Sequence, residues 1–258
     1  MIKILLSGCN GHMGQVVAAL AADDPDIAIA AGVDVVPREH VGFPVFTDPM
    51  EYSDTVDVII DFSSPLALDK LLEYGLANNT PLVLCTTGYT AAQISAIEDA
   101  AKHIPVFRSG NMSLGVNLLI DLVKRSCAVL GGAFDIEIVE RHHRRKVDAP
   151  SGTAMMLADA AASALPYTPE YIYTREGKSR PRTSREIGVS SIRGGTIVGE
   201  HEVIFAGLDE VIELRHTAAS RDVFAAGAIK AAKFITISKV AGLYDMNDVL
   251  EDCRAATS

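Results

Sequence analysis

The stretch Ile2-Lys3-Ile4-Leu5-Leu6-Ser7-Gly8-Cys9-Asn10-Gly11-His12-Met13-Gly14 decides the fold. Its short apolar run, Ile2–Ser7, predicts a buried strand, and the apolar pattern of Met13–Ala22 predicts a helix. Three glycines with the spacing G-x-x-G-x-x-G connect the two elements. A strand, a tight glycine turn and a helix in this order predict the first βα unit of a parallel sheet.

The same alternation of strand and helix continues over the first hundred residues. Further strands are predicted at Ile27–Asp34, Val56–Ser63, Pro81–Cys85 and Pro105–Arg108. Helices are predicted between them at Pro65–Asn78 and Ala91–Lys102. This alternation of strands and helices predicts the α/β fold class, with a Rossmann-type, doubly wound parallel sheet.

The pattern changes after residue 112. Here we predict helices at Leu114–Leu130 and Thr153–Leu165, a surface loop at Tyr167–Pro181, and strands at Phe134–Arg141, Ile187–Ile192, Ile197–Ala206 and Val211–His216. Successive strands without helices between them predict an antiparallel or mixed open sheet in a second, α+β domain. The last helix, Val223–Val240, could return to the first domain. We therefore predict one domain from residues 1–112 and 222–258, and a second from residues 113–221.

The glycine loop also predicts a ligand. Its glycines let the backbone approach a pyrophosphate, and the following helix N-terminus offers N–H groups and a partial positive charge. Asp34 follows Gly14 by about twenty residues, a spacing typical of a carboxylate that binds the adenine-ribose hydroxyls of NAD. We predict an NAD(P)H site and favour NADH, because Asp34 would repel a 2′-phosphate. NADPH is the alternative, since Arg38 lies close enough in the sequence to contact a 2′-phosphate.

Two further turns follow predicted strands at Cys85-Thr86-Thr87-Gly88 and Ser109-Gly110-Asn111-Met112-Ser113. Open α/β sheets bind ligands at the carboxyl ends of their strands. We therefore predict that these turns face the nicotinamide half of the cofactor. Ser64, which precedes an apolar helical pattern, is interpreted as a helix cap.

A second chemically informative stretch is Glu140-Arg141-His142-His143-Arg144-Arg145-Lys146-Val147-Asp148-Ala149-Pro150-Ser151-Gly152-Thr153-Ala154. His142 is a candidate proton donor, and Lys146 supplies a positive charge that could stabilise an anion. Ser151 or Thr153 can cap the next helix, whose first N–H groups could hold a carboxylate. The segment must turn, because an extended chain would separate His142 from Lys146 by roughly 13 Å. Together these groups predict a site that binds and protonates a small dianion.

Composition narrows the class of protein. The net charge of −10 argues against a nucleic-acid partner, and local basic clusters favour a small anion instead. We expect no membrane span, because no apolar stretch reaches about 18 residues. The N-terminal apolar run is too short for a signal peptide, and four widely spaced cysteines predict reduced thiols in a cytoplasmic protein. No metal site is predicted, because no carboxylate or cysteine lies at a familiar ligand spacing from the histidine pair.

The chain resembles the dihydrodipicolinate reductase family, also called 4-hydroxy-tetrahydrodipicolinate reductases, over essentially its whole length. The resemblance depends on the glycine loop, on Asn111–Asn117 and above all on the pattern H-H-x-x-K-x-D-x-P-S-G-T-A that begins at His142. It departs from the family at Val35, where many members carry an arginine, and at Cys85, where a glycine is common. The departure at Val35 puts the use of NADPH in doubt.

The resemblance implies NAD(P)H-dependent reduction of 4-hydroxy-tetrahydrodipicolinate, a small dicarboxylate, in lysine and diaminopimelate biosynthesis. It implies a homotetramer that forms through the sheet of the second domain. His142 would match the catalytic acid/base and Lys146 the catalytic lysine. Substrate contacts would be His143, Ser151, Gly152 and Thr153. Cofactor contacts would be Gly8, Cys9, Asn10, Gly11, His12, Met13, Asp34, Cys85, Thr86, Thr87, Ser109, Gly110, Asn111 and Met112.

Two other functions remain open at this point. One is a different two-domain NAD(P) oxidoreductase, such as an amino-acid dehydrogenase. The other is a non-catalytic NAD-binding sensor that keeps the fold without the chemistry. His142, Lys146 and the Ser151-Gly152-Thr153 turn argue against the sensor, because binding alone does not require them.

Overall fold

The computed structural model describes residues 1–38, 42–177, 180–238 and 240–256. The chain divides into two compact units, one of Met1–Leu114 with Asp222–Ser258 and the other of Gly115–Arg221. Among the described residues, no helix combines the length and apolar character that a membrane crossing requires.

The first unit is built on a sheet of seven parallel strands. The strands are β1 (Ile2–Ser7), β2 (Ile27–Val33), β3 (Val45–Phe46), β4 (Val58–Asp61), β5 (Leu82–Leu84), β6 (Pro105–Arg108) and β12 (Gly242–Tyr244). Their order is β12-β6-β5-β4-β1-β2-β3, so the direction of winding reverses between β1 and β4. The predicted Rossmann-type sheet is confirmed, and the glycine loop after β1 lies at the switch point where such sheets bind ligands.

Helices cover both faces of this sheet. They are α1 (His12–Ala22), α2 (Leu68–Asn78), α3 (Ala91–Ala101), α6 (Asp222–Ser238) and α7 (Met246–Ala255). One buried cluster packs α1, α6 and α7 against the sheet through residues such as Val17 and Ala228. A second cluster does the same for α2 and α3 on the other face, through Leu71 and Ile97.

The second unit has a sheet of five strands. The strands are β7 (Asp135–His142), β8 (Glu170–Ile172), β9 (Glu186–Arg193), β10 (Gly199–Ala206) and β11 (Val211–Ala218), and the helices are α4 (Leu114–Leu130) and α5 (Gly152–Ala164). The order of the strands is β11-β10-β7-β9-β8. β7 is antiparallel to β10 and parallel to β9, so the predicted mixed sheet is confirmed. Residues of α4 and α5 share one apolar core with the sheet.

Some local predictions are wrong. The expected surface loop Tyr167–Pro181 contains β8, which pairs with the start of β9. The sequence reasoning also missed β3, β12 and α7, and it ended several elements one or two residues away from their observed bounds. Ser64 occupies the N-cap position of a short 3-10 helix at Pro65–Ala67, as predicted, but its side chain makes no capping hydrogen bond.

Candidate active site

A cavity of about 580 Å³ lies at the carboxyl end of β1 in the first unit. Four residues that the sequence predicted for cofactor binding line it: Gly8, Asn10, Gly11 and Asp34. Sequence reasoning missed its apolar wall, to which Val35, Val36, Phe62 and Leu66 contribute. A cavity with this mixture of apolar surface and a few polar groups suits the adenosine part of a dinucleotide.

The glycines of the loop are required by its close packing. Gly8 has a φ of +75°, and a Cβ atom there would lie 2.7 Å from the carbonyl oxygen of Phe62. A Cβ at Gly14 would lie 2.6 Å from the Cα of Cys9. Helix α1 follows directly, and its N-cap residue Gly11 provides no side-chain cap. Since the first N–H groups of a helix lack partners within it, this end of α1 fits a phosphate group.

Asp34 lies immediately after β2 and is held by main-chain groups. Its Oδ2 accepts a hydrogen bond of 3.0 Å from the backbone N–H of Asn10, and its Oδ1 accepts one of 3.4 Å from that of Val36. The Asn10 side chain donates to the carbonyl oxygen of Val36 at 2.7 Å. The carboxylate is therefore fixed on the wall of the cavity. Val35, beside it, is 91% exposed, and Arg38 also lines the cavity.

The lining of this cavity does not include the other predicted cofactor residues. The side chains of Cys9 and Met112 are buried in the core of the unit, so a cofactor could reach only their main-chain atoms. His12 and Met13 form the start of α1, while Cys85, Thr86 and Thr87 follow β5, and Ser109, Gly110 and Asn111 follow β6. The last two groups therefore follow neighbouring strands of the same sheet. Burial raises the pKa of the Cys85 thiol well above its usual range, so this side chain stays neutral.

His142 is the last residue of β7 in the second unit and is 8% exposed. Alternate residues of β7 are buried, which places Glu140 and His142 on the same face as the core residue Ile138. The Nδ1 atom of His142 lies 2.6 Å from Oε2 of Glu140. Burial lowers the pKa of His142, Glu140 partly opposes this effect, and the charges of Lys146 and Arg193 reinforce it. The imidazole is thus mainly neutral at pH 7.

The segment after His142 turns back at once. The backbone N–H of Lys146 donates to the carbonyl oxygen of His143 at 3.0 Å, which closes a turn over Arg144 and Arg145. The chain bends again at Ala149 and Pro150, before α5. The ammonium group of Lys146 lies 3.0 Å from Oδ2 of Asp148, and its side chain is 22% exposed. Lys146 is therefore a positive charge of limited mobility beside the histidine.

Helix α5 begins at Gly152, and Ser151 is its N-cap. The Ser151 hydroxyl accepts a hydrogen bond of 3.2 Å from the backbone N–H of Ala154 and lies 3.0 Å from Nε2 of His201. The start of α5, with Gly152 and Thr153, presents main-chain N–H groups of the kind that bind carboxylates. His143 is the first residue of the turn, and its Nε2 is 3.4 Å from a guanidinium nitrogen of Arg221.

The structure adds three residues to this cluster to which the sequence analysis assigned no role: Glu140, Arg193 and His201. Glu140 and His142 are two apart on a strand, so the period of a strand could have indicated that they share a face. Arg193, at the end of β9, donates two hydrogen bonds of 2.7 Å to Glu140. His201 of β10 stacks edge-on against His142, with ring centroids 5.1 Å apart. No local signal marks Arg193 or His201, because strand pairing alone brings them there.

Comparison with known proteins identifies the family. The model of the N-terminal part of dihydrodipicolinate reductase matches residues 2–112, and the model of its C-terminal part matches residues 115–250. The chain belongs to the dihydrodipicolinate reductase family. It is 50% identical to the 4-hydroxy-tetrahydrodipicolinate reductase of Caldanaerobacter subterraneus subsp. tengcongensis, over 97% of this chain and 99% of the relative. It is 48% identical to the reductase of the same name from Clostridium tetani, over 97% of each.

A solved structure of the same family shares the fold. The dipicolinate-bound dihydrodipicolinate reductase from Paenisporosarcina sp. TG-14 superimposes with a TM-score of 0.81 at 23% identity, covering 95% of this chain and 97% of that one. At this level of identity the likeness concerns the fold. Family membership therefore depends on the two family models and the close relatives, which agree with the resemblance found in the sequence.

Proposed function

We propose that the protein catalyses the NAD(P)H-dependent reduction of 4-hydroxy-tetrahydrodipicolinate to tetrahydrodipicolinate, with loss of the 4-hydroxyl as water. The observation that carries this proposal is the His142–Lys146 turn next to the N-terminus of α5, in a chain whose curated relatives bear the name of this reductase. The turn contributes an imidazole and an ammonium group, and the helix start contributes N–H groups. Binding and protonating a cyclic dicarboxylate requires this combination of one proton donor and positive charge.

Loss of the 4-hydroxyl and a hydrogen of C3 as water would first leave a C3–C4 double bond in the ring. A bound NAD(P)H would then supply the hydride that adds to C4. The glycine loop and the start of α1 would hold its pyrophosphate, and Asp34 its adenine ribose. Negative charge then develops in the ring, and His142 delivers a proton from Nε2 to C3, which completes the addition of two hydrogens. Lys146 stabilises the developing charge, while Ser151, Gly152 and Thr153 hold a carboxylate with help from His143.

The test of this function couples the protein to the upstream synthase, because the substrate is unstable. Aspartate semialdehyde, pyruvate and the synthase generate the substrate in place, and NADH absorbance at 340 nm reports its reduction. Oxidation that requires all components supports the proposal. Absence of oxidation with either nucleotide would overturn it and favour a binding protein, whereas oxidation linked to an amino acid alone would indicate a dehydrogenase of another class.

We further propose that NADH is the preferred cofactor. Replacing Asp34 by Ala should weaken NADH binding about 10- to 100-fold, since one or two hydrogen bonds to a charged group are lost. The affinity for NADPH should change little, because the same substitution removes repulsion of the 2′-phosphate. Fluorescence titration of the reduced nucleotides measures both affinities. Asp57→Ala is a matched control, because it also loses a backbone hydrogen bond, from Lys3, and lies outside the lining of the cavity. An equal loss for both nucleotides would contradict the assignment of Asp34.

Assembly into a tetramer through the second unit's sheet is also proposed. Taken by itself, this sheet has helices α4 and α5 against one face only. The other face carries Val139, Ile192 and Ile204 beside the Arg141–Glu202 ion pair, and Ile192 is 44% exposed. A face with partly exposed aliphatic residues and paired charges suits contact with a second copy of the chain.

A further inference from the structure

The carboxylate of Glu140 is the centre of the buried polar cluster in the second unit. It is fully buried, and hydrogen-bonding groups of several other residues surround it. Arg193 donates to both oxygens at 2.7 Å, the backbone N–H of Ser151 donates to Oε1 at 3.1 Å, and Nδ1 of His142 lies 2.6 Å from Oε2. Burial raises the pKa of Glu140, but hydrogen bonds from Arg193, His142 and Ser191 outweigh it and hold the pKa at about 2. The carboxylate is therefore ionised throughout the working range of an enzyme.

An ionised carboxylate can only accept hydrogen bonds, so it dictates the tautomer of His142. The proton of the neutral imidazole must lie on Nδ1, facing Glu140, and Nε2 is left for exchange with a substrate. Nε2 faces Gly199 of β10, where an added Cβ atom would lie 3.1 Å from it. The absence of a side chain at Gly199 keeps this end of the ring uncrowded.

The same carboxylate also fixes the start of α5. Its Oε1 accepts from the backbone of Ser151, the residue that caps the helix. One side chain thus holds both the imidazole and the helix end that would bind the substrate carboxylate. Arg193 secures this arrangement through its two hydrogen bonds to Glu140 and a third, of 2.6 Å, to the carbonyl oxygen of Asp148.

We propose that Glu140, clamped by Arg193, is the positioning residue of the reaction. By binding Nδ1 of His142, it leaves Nε2 as the proton-donating atom, and its charge stabilises the imidazolium form. It also fixes the position of the imidazole ring relative to the start of α5. This inference rests on the proposed function, in which His142 gives a proton to the substrate. The arrangement follows a known chemical logic, in which a buried carboxylate orients a histidine without itself taking up the proton.

The groups that face His142 act on its charge in opposite directions. Glu140 favours the imidazolium, whereas Lys146 from the following turn and Arg193 from β9 disfavour it. His201 of β10 is neutral near pH 7, because burial and the neighbouring His142 lower its pKa to about 4. Removing the charge of Glu140 should therefore lower the pKa of His142, and removing that of Arg193 should raise it.

The test follows His142 directly by NMR titration of histidine-labelled, nucleotide-free protein, with its signal assigned from the His142→Gln spectrum. Glu140→Gln should move the titration midpoint to lower pH and Arg193→Gln should move it to higher pH. In the coupled assay, activity should fall as the pH rises above the pKa of the proton donor. Glu140→Gln should therefore move this fall in activity to lower pH. At pH 7.5 we expect kcat to fall about tenfold or more, since each unit of pKa lost reduces the protonated fraction tenfold.

Glu186→Gln is the matched control. Glu186 is a buried glutamate at the start of β9, and it accepts hydrogen bonds of 2.6 Å from Arg175 and 2.7 Å from Arg180, so its loss removes comparable ion pairs. We expect this variant to leave the midpoint of His142 and the pH profile unchanged. If Glu140→Gln does not fold, the upward shift in Arg193→Gln still tests the inference.

The outcomes separate this inference from the proposed function. A uniform loss of kcat at every pH, with the midpoint of His142 unmoved in Glu140→Gln, would make Glu140 a purely structural residue and overturn the inference. An unmoved midpoint in Arg193→Gln would do the same where Glu140→Gln cannot be measured. A wild-type protein that oxidises neither NADH nor NADPH in the coupled assay would overturn the proposed function, while the titration would still report whether Glu140 controls His142.

Discussion

His142→Gln is expected to lower kcat by about 10²- to 10⁴-fold and to leave NADH affinity nearly unchanged. The glutamine side chain can still donate a hydrogen bond to Glu140, but it cannot give up a proton near neutral pH. The dinucleotide cavity lies in the other unit, so its affinity for NADH should be preserved. Steady-state kinetics in the coupled assay give kcat, and fluorescence titration gives the affinity for NADH.

His216→Gln is a suitable control for this variant. His216 lies on β11, where it pairs with His201 of the neighbouring strand β10. Burial lowers the pKa of His216 as well. The substitution removes a partly buried imidazole from the same sheet, yet His216 has no role in the proposed chemistry. An unchanged kcat in His142→Gln, or an equal loss in both variants, would remove His142 from its assigned role.

Lys146→Ala should reduce kcat about 10²- to 10³-fold, in line with the loss of one group that stabilises a developing anion. It should also raise KM for the dicarboxylate, because the ammonium group attracts the substrate before the reaction as well as during it. Initial rates at varied substrate concentration separate the two effects. The substitution also breaks the 3.0 Å ion pair between Lys146 and Asp148. This loss should change the kinetics little, because Asp148 is mostly exposed and exposed ion pairs are weak.

Arg145→Ala provides the comparison, because Arg145 is adjacent to Lys146 and exposed to solvent. It removes the same charge from the same turn without removing a partly buried group. We expect kinetic constants close to those of the wild type. Normal kcat and KM in Lys146→Ala would show that Lys146 is only a surface charge.

Much of the fold could be predicted because its signals are local. The strand Pro105–Arg108 and the helix Leu114–Leu130 have their predicted bounds, since each is marked by a continuous apolar or amphipathic pattern. The glycine loop is equally local, as one strand, one turn and one helix specify it. Helix α7 could also have been found, because Asp245 and Asp248 form a capping box at its start.

Strand β8 shows why other elements escaped prediction. It is three residues long and lies at the edge of its sheet, so its apolar pattern is too short to stand out. It is held by pairing with β9, from Glu170 opposite Glu186 to Ile172 opposite Gly188. Pairing between distant segments is a property of the folded chain and leaves no periodic signal in the short segment itself.

The sequence by itself determined the class of fold, the nucleotide loop with Asp34, and the presence of His142, Lys146 and Ser151 in one stretch. These features depend on neighbours along the chain, where spacing and side-chain type are sufficient. Only the tertiary structure decided which groups control His142. The pairing of β7 with β9 and β10 brings Arg193 and His201 to Glu140 and His142 from more than fifty residues away. A buried carboxylate needs hydrogen-bond donors. Two of those on Glu140 come from Arg193, which the pairing of β7 with β9 brings to it.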